Sequence, residues 1–331
     1  MFNIFNSFHR PSENTPSIPD IPVMPDMLGS YKEGLPGSCP PKRDMTTDEK
    51  SALILKGCAL GDCCGLPYEG CSPDQVTYDF EADKPYECKS KFSDDTIMLC
   101  ATIDAMHRIS EGGFTDIGET NRIFRTFYVK YYKNNPGAEY GMRFLTWANI
   151  PLTEDVPERF KTSCGNGSAM RVSAVSVMDD IDDVILAAIA SASCSHAHPE
   201  GVKGAVVTAL CVWLALNGYS KDDIEHYAEI QYKDYPYSPD KSYKKMKSIH
   251  PLKDNPALCQ LTVPLSIRCF LDSVDYESAI SNAISFGWDT DTQAAITGAI
   301  AISFYRGCSS EGDKVFSELQ KESCINNLNL Q

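Results

Sequence analysis

Apolar residues recur at helical spacing along most of the chain, and few runs alternate in the way a strand requires. Residues 117–132 are amphipathic, with Ile123, Phe124, Phe127 and Tyr131 on one face. SALILKGCALGDCCG, residues 51–65, is a largely apolar helix opened by a capping-box pair, Thr46 and Glu49, and stopped by Gly65 and Pro67. The same pattern predicts helices over 97–109, 182–193, 202–216, 275–286 and 293–305. A further helix spans 263–271, with Pro264 near its start, where proline is tolerated. The polar, tyrosine-rich stretch 221–255 predicts one or two surface helices. Gly112-Gly113 and Asn135-Pro136-Gly137 punctuate the series. The fold class is therefore all-α, a compact multi-helix bundle without a fixed internal repeat.

The first 45 residues break this pattern. They are rich in Pro, Ser and Asn, with prolines at 11, 16, 19, 22, 25, 36, 40 and 41, and read as a disordered leader. The domain then runs from 46 to 331. Three readings of the leader stay open: a plain tail, a sorting segment or a partner-binding arm.

Composition narrows the setting. A formal net charge of -15 argues against a broad nucleic-acid or anionic-membrane surface. The N-terminus MFNIFNSFHRP lacks the pattern of a secretory signal. The longest apolar run, residues 204–218, falls short of the ~18 residues that suggest a membrane span. The 14 cysteines form no C-x-x-C pair, and many sit in apolar helical runs, among them Cys58, Cys100, Cys211 and Cys269. Buried free thiols in a reducing cytoplasmic compartment follow, with a monomer expected.

Two short acidic clusters carry the chemistry. FSDDTIM, from Phe92, holds Asp94 and Asp95 with Ser93 and Thr96; GWDTDTQAA, from Gly287, holds Asp289 and Asp291 with Thr290 and Thr292. Each precedes an apolar helix. Capping is the simple alternative for either one, since Asp, Ser and Thr favour helix starts. One cap needs one oxygen, however, and adjacent carboxylates repel unless a cation neutralises them. Hard oxygen ligands of this kind suit magnesium or manganese rather than zinc or copper. Two matched clusters point to a site for two divalent cations.

Three other stretches complete the set: LGDCCGLPYEG from Leu60, CGNGSAMR from Cys164 and SHAHPEG from Ser195. In this order the five motifs resemble the ADP-ribosylglycohydrolase family, over about residues 51–307. The resemblance implies an all-α fold, two divalent ions, Mg2+ or Mn2+, and hydrolysis of the bond between ADP-ribose and an acceptor. That acceptor is a protein side chain such as arginine or serine, or a small-molecule conjugate. It further implies Ser93, Asp94, Asp95, Asp289, Asp291 and Thr292 as metal ligands, with Glu69 and Asp95 in the chemistry. His196 matches a family position near the ADP-ribose, whereas His198, before Pro199, reads as a helix-entry residue. Gly165, Asn166 and Gly167 would let backbone amides approach the diphosphate at the start of a helix. Arg171 reads as structural, paired with an acidic residue, and Asp62 as a hydrogen-bonding support.

The chain departs from the family pattern at two of these positions. Ser93 stands where the family usually has Thr. Trp288 stands where it commonly has Gly, and is expected to border the pocket and tune which conjugate fits. Two other functions stay open at this point: a catalytically silent ADP-ribose binder, and a metallohydrolase of another nucleotide or glycoside.

Overall fold

The computed structural model describes residues 25–38, 40, 44–76, 86, 91–112, 116–233 and 256–328. Among these the secondary structure is helical, with two isolated β-bridges, Thr162 to His196 and Gly165 to Leu258. In chain order the helices are α1 (Pro25–Lys32), α2 (Thr47–Gly65), α3 (Asp94–Gly112), α4 (Ile117–Asn134), α5 (Met142–Ala148) and α6 (Glu158–Lys161). There follow α7 (Gly167–Met170), α8 (Ile181–Ser193), α9 (Pro199–Leu216), α10 (Lys221–Gln231) and α11 (Cys259–Leu271). The series ends with α12 (Tyr276–Ile284), α13 (Thr290–Tyr305), α14 (Ser310–Leu319) and α15 (Ser323–Asn326).

The pairing of α2 with α13 organises the molecule. Gly57, Gly61 and Gly65 recur every four residues, so they share one face of α2. A Cβ on Gly57 would lie 2.5 Å from Gly298 O, one on Gly61 2.1 Å from Ala294 O, and one on Gly65 2.3 Å from Thr290 O. No side chain fits between the two helices at these points. The contacts descend along α13 as they ascend along α2, so the helices run antiparallel. The end of α2, and with it the loop bearing Glu69, is thereby set beside the start of α13. Thr290 Oγ1 closes the seam, donating to Gly65 O at 2.8 Å.

Most predicted helices are present with their ends moved by a few residues. The capping box at Thr46 and Glu49 opens α2, and His198 caps α9, its Nδ1 accepting from Glu200 N at 3.1 Å. Some expectations need correction. Within the expected leader, residues 1–24 lie outside the described residues, but 25–32 form α1. Tyr31 there is buried, and Gln231 Nε2 donates to Ser30 O and Glu33 O, each at 3.0 Å. Pro264 sits inside α11 rather than at its start. That helix begins earlier, at Cys259, whose N–H donates to Cys164 O at 3.0 Å. The CGNGSAMR segment makes one helical turn, α7, and not a helix long enough to present an anion-binding end. Helix α9 is long and apolar enough to cross a membrane by length and composition, yet 83% of it is buried inside the fold, as a core helix would be. The second surface helix expected within 221–255 falls outside the described residues.

Candidate active site

Helix α2 also positions the first acidic cluster. Asp62, fully buried on α2, receives Ser93 N at 3.0 Å, Thr96 N at 3.0 Å and Thr96 Oγ1 at 2.6 Å. A carboxylate from one helix thus caps the start of another, α3. Ser93 Oγ accepts from Asp95 N at 3.1 Å and supplies the local cap. The carboxylates of Asp94 and Asp95 are left free of capping duty. At the second cluster Asp289 precedes α13 without a side-chain cap bond. Capping therefore does not explain the paired carboxylates.

The Glu69 loop is clamped onto the second cluster. Gly70 N donates to Trp288 O and Trp288 N donates to Cys71 O, both at 2.7 Å. Gly287, at φ 69°, makes room, since a Cβ there would lie 2.6 Å from Cys71 O. Carboxylate oxygens of Glu69, Asp289 and Asp291 consequently lie within 4.8 Å of one another. Asp95 Oδ2 accepts from Ser93 Oγ and Thr292 Oγ1, each at 3.1 Å, which ties the two clusters together. Asn166 Nδ2 donates to Asp289 Oδ2 at 2.6 Å.

Electrostatics set this group apart. Burial, then the charge of Asp291, raises Asp94, Asp95 and Asp289 well above the usual carboxylate range. Burial also raises Asp291. The same two causes push Asp62 up to about 7 and Glu69, at the exposed mouth, up to about 8. Among the described residues no Lys, Arg or His forms an ion pair with these groups. Asp95 Oδ1 and Asp291 Oδ1 are buried without a hydrogen-bond partner. Orphaned anionic oxygens at such density lack a compensating charge. A hard divalent cation fits that donor set.

A cavity of about 370 Å³ opens over the cluster. By chemistry its lining divides into an acidic wall of Glu69, Asp94, Asp95, Asp289, Asp291 and Thr292 and a second of Gly165, Asn166, Gly167 and His196, joined where Asn166 bonds Asp289. Ten of the expected residues thus meet in one space. Two do not reach it. Ser93 is buried behind Asp95 and serves as cap and donor. Trp288 is absent from the lining: its indole packs against the core, and its backbone, at φ 67°, clamps the Glu69 loop. The glycine loop also differs from expectation. A Cβ on Gly167 would lie 3.1 Å from His196 Nε2, so this glycine admits the imidazole ring. Asn166 faces Asp289. Arg171, 1% exposed, bonds Ser195 Oγ at 2.7 Å and Ser191 O at 3.2 Å and lies 4.0 Å over the Tyr128 ring, with no carboxylate partner among the described residues.

Sequence reading missed Glu139, Arg143, Phe144 and Phe160, which also line the cavity. Glu139 adds to burial and the Asp291 charge in raising the Glu69 carboxyl, and Phe144 stacks on Tyr140 with centroids 5.2 Å apart. For Glu139, Arg143 and Phe144 the signal is the aromatic and charged stretch EYGMRFLTW after the Pro136-Gly137 turn; Phe160 lies outside it.

The family model for ADP-ribosylglycohydrolase matches residues 44–306. The chain belongs to the ADP-ribosylglycohydrolase family. Bovine ADP-ribosylhydrolase ARH3 is 28% identical over 316 residues, covering 76% of this chain and 83% of the relative. The human protein of that name is likewise 28% identical, covering 76% and 84%. A mimivirus relative, putative ADP-ribosyl glycohydrolase L543 from Acanthamoeba polyphaga mimivirus, is 23% identical, covering 76% and 85%. The fold is also that of a solved chain titled ADP-ribosylglycohydrolase-related protein complex. That match has a TM-score of 0.63 and 17% identity, and it covers 84% of this chain and 97% of the other. Members of the ADP-ribosylglycohydrolase family are hydrolases acting on ADP-ribosylated substrates. In this member the acidic wall and the His196 wall line one cavity.

Proposed function

We propose that the protein hydrolyses the glycosidic bond between ADP-ribose and a modified acceptor, a protein side chain such as arginine or serine, using two divalent cations, Mg2+ or Mn2+. The observation that carries this reading is the pair of orphaned buried oxygens, Asp95 Oδ1 and Asp291 Oδ1, beside the Glu69, Asp289 and Asp291 cluster. Membership of the family supports the substrate class. Asp94, Asp95, Asp289, Asp291 and Thr292 would hold the cations. Bound there, the cations supply Lewis-acid polarisation and a water of lowered pKa. Asn166 and Thr292 hold the Asp289 and Asp95 carboxylates in place. Glu69, on the loop at the cavity mouth, is the carboxyl free to exchange a proton with the leaving atom as the bond to the anomeric carbon breaks. The Gly165–Gly167 loop and His196 face the ADP-ribosyl part. A cytoplasmic setting and action as a monomer belong to the same proposal.

The test is a panel of ADP-ribosylated acceptors, covering arginine, serine, ester and nucleic-acid-end linkages, assayed with each metal. Release of ADP-ribose from at least one, abolished by chelator, is expected. ADP-ribose binding without release from any of them would make the protein a silent binder and overturn the hydrolase reading.

A further inference from the structure

His196 makes one contact that the acidic wall does not explain. Its Nδ1 lies 2.7 Å from Ser195 Oγ. Arg171 Nη2 lies 2.7 Å from the same oxygen. A guanidinium has donors and no acceptor, so Ser195 Oγ accepts from Arg171. The serine proton then points to His196 Nδ1. The reverse arrangement, with Nδ1–H donating to Ser195, would leave that proton facing the Cys194 sulfur at 3.9 Å, whose own proton has Ser191 O at 3.2 Å. An unprotonated Nδ1 gives the serine proton its acceptor, and the ring proton accordingly sits on Nε2, open to the cavity. That edge of the ring faces the glycine loop and the cavity, 3.1 Å from where a Gly167 Cβ would stand.

Arg171 reaches the cavity lining, and its committed bonds fit it to this task. It is buried, its Nη2 is committed to Ser195 and Ser191, and its guanidinium stacks on Tyr128. Burial, then the charges of Arg171 and Arg143, holds His196 well below its usual pKa, so the ring stays neutral.

We propose that Arg171 and Ser195 are positioning residues that fix His196 as a neutral Nε2–H donor aimed at a phosphate or ribose oxygen of the bound ADP-ribosyl group. The identity of the acceptor rests on the functional reading above; the tautomer does not.

The test is nitrogen-15 NMR of the full-length protein labelled at its six histidines, with His196→Gln assigning the signal. Wild type should show an unprotonated Nδ1 and a protonated Nε2. Ser195→Ala should give mixed tautomers and weaken ADP-ribose binding about three- to tenfold in calorimetry, the worth of one ordinary hydrogen bond. Ser195→Thr should restore both. Arg171→Lys, which keeps a donor, should keep the wild-type tautomer, and Arg171→Met should lose it. A protonated Nδ1 in wild type, or an unchanged tautomer in Ser195→Ala, would overturn the proposal. Wild type that fails to bind ADP-ribose would remove the proposed acceptor together with the functional reading, while the spectrum alone decides the tautomer.

Discussion

The two walls of the cavity are built by opposite means. The acidic wall concentrates Asp94, Asp95, Asp289 and Asp291 at two helix starts, and among the described residues no ion pair with a cationic side chain balances them. The His196 wall has a different make-up: a neutral imidazole, two glycines and the buried Arg171 bonded to Ser195, with Glu139 and Arg143 in the lining as charges of opposite sign. One wall is a set of strong charges awaiting a partner. The other fixes orientation through the hydrogen bonds that join Arg171, Ser195 and His196. Such a division suits a ligand gripped by metal at one end and by shape and polar donors at the other. Each prediction below breaks the balance on one side.

The largest effect should come from the acidic wall. Asp291→Ala removes the group nearest the centre of the cluster, whose charge raises Asp94, Asp95 and Asp289 alike. Losing a partner that merely supports a ligand costs 10–100-fold, so losing a ligand should cost more than about 100-fold in turnover. Metal content measured on the folded variant should fall with it. Unchanged metal content and turnover would mean that the cluster is not a cation site.

The contrast also explains what could be read from sequence. The acidic wall was legible because each half is a local motif, carboxylates packed within a few residues ahead of an apolar run. The helices were legible through periodicity and through turn residues such as Gly65 and Pro67. Two things were not. The seam that assembles the acidic wall depends on Gly57, Gly61 and Gly65 meeting α13 more than 200 residues away, a pairing that spacing alone does not announce, although a four-residue glycine repeat hints at close helix approach. The His196 wall is assembled from positions 139–171 and 195–196, where Arg171 and Ser195 act through hydrogen bonds that only tertiary structure creates. Trp288 was misplaced for a related reason. Adjacency to Asp289 fixed where its Cα lies, but the left-handed backbone decided where the indole goes.

Next in size is Glu69→Gln. The side chain is exposed on a loop held by backbone bonds from Gly70 and Cys71, so the variant should melt within a degree or two of wild type. Turnover should drop by roughly 100-fold or more, the usual range for a lost acid or base. A melting profile and a rate on the same sample check both halves. Full activity would take Glu69 out of the chemistry.

A smaller, physical effect separates charge from shape. Carboxyls raised in the folded state hold protons that the unfolded chain releases near pH 4. Their stabilising contribution is complete below that pH and is lost as pH rises through the folded values, about 7 for Asp62 and about 8 for Glu69. In chelator the melting temperature should therefore fall between pH 5.5 and 8.5. Added Mg2+ should raise it more at pH 8 than at pH 5.5, since the cation binds the deprotonated set and stabilises by mass action. Equal Mg2+ shifts at both pH values would count against the acidic wall as the binding site.

The smallest change is expected from Trp288→Gly, which probes the clamp between the Glu69 loop and the second acidic cluster. The indole is half-buried against the core, with its N–H unpartnered, and stands outside the cavity. Truncating a fully buried Trp costs about 3–5 kcal/mol, and a half-buried one proportionately less. Glycine at φ 67° recovers about 1–2 kcal/mol of left-handed strain while giving back about 0.5–1 in chain entropy. The clamp itself is made by the Trp288 N–H and C=O, which glycine keeps. The net loss should stay within about 2 kcal/mol, and relative rates across the acceptor panel should match wild type. A changed order of acceptor preference in this variant would return Trp288 to the pocket and show that the indole reaches the ligand after all.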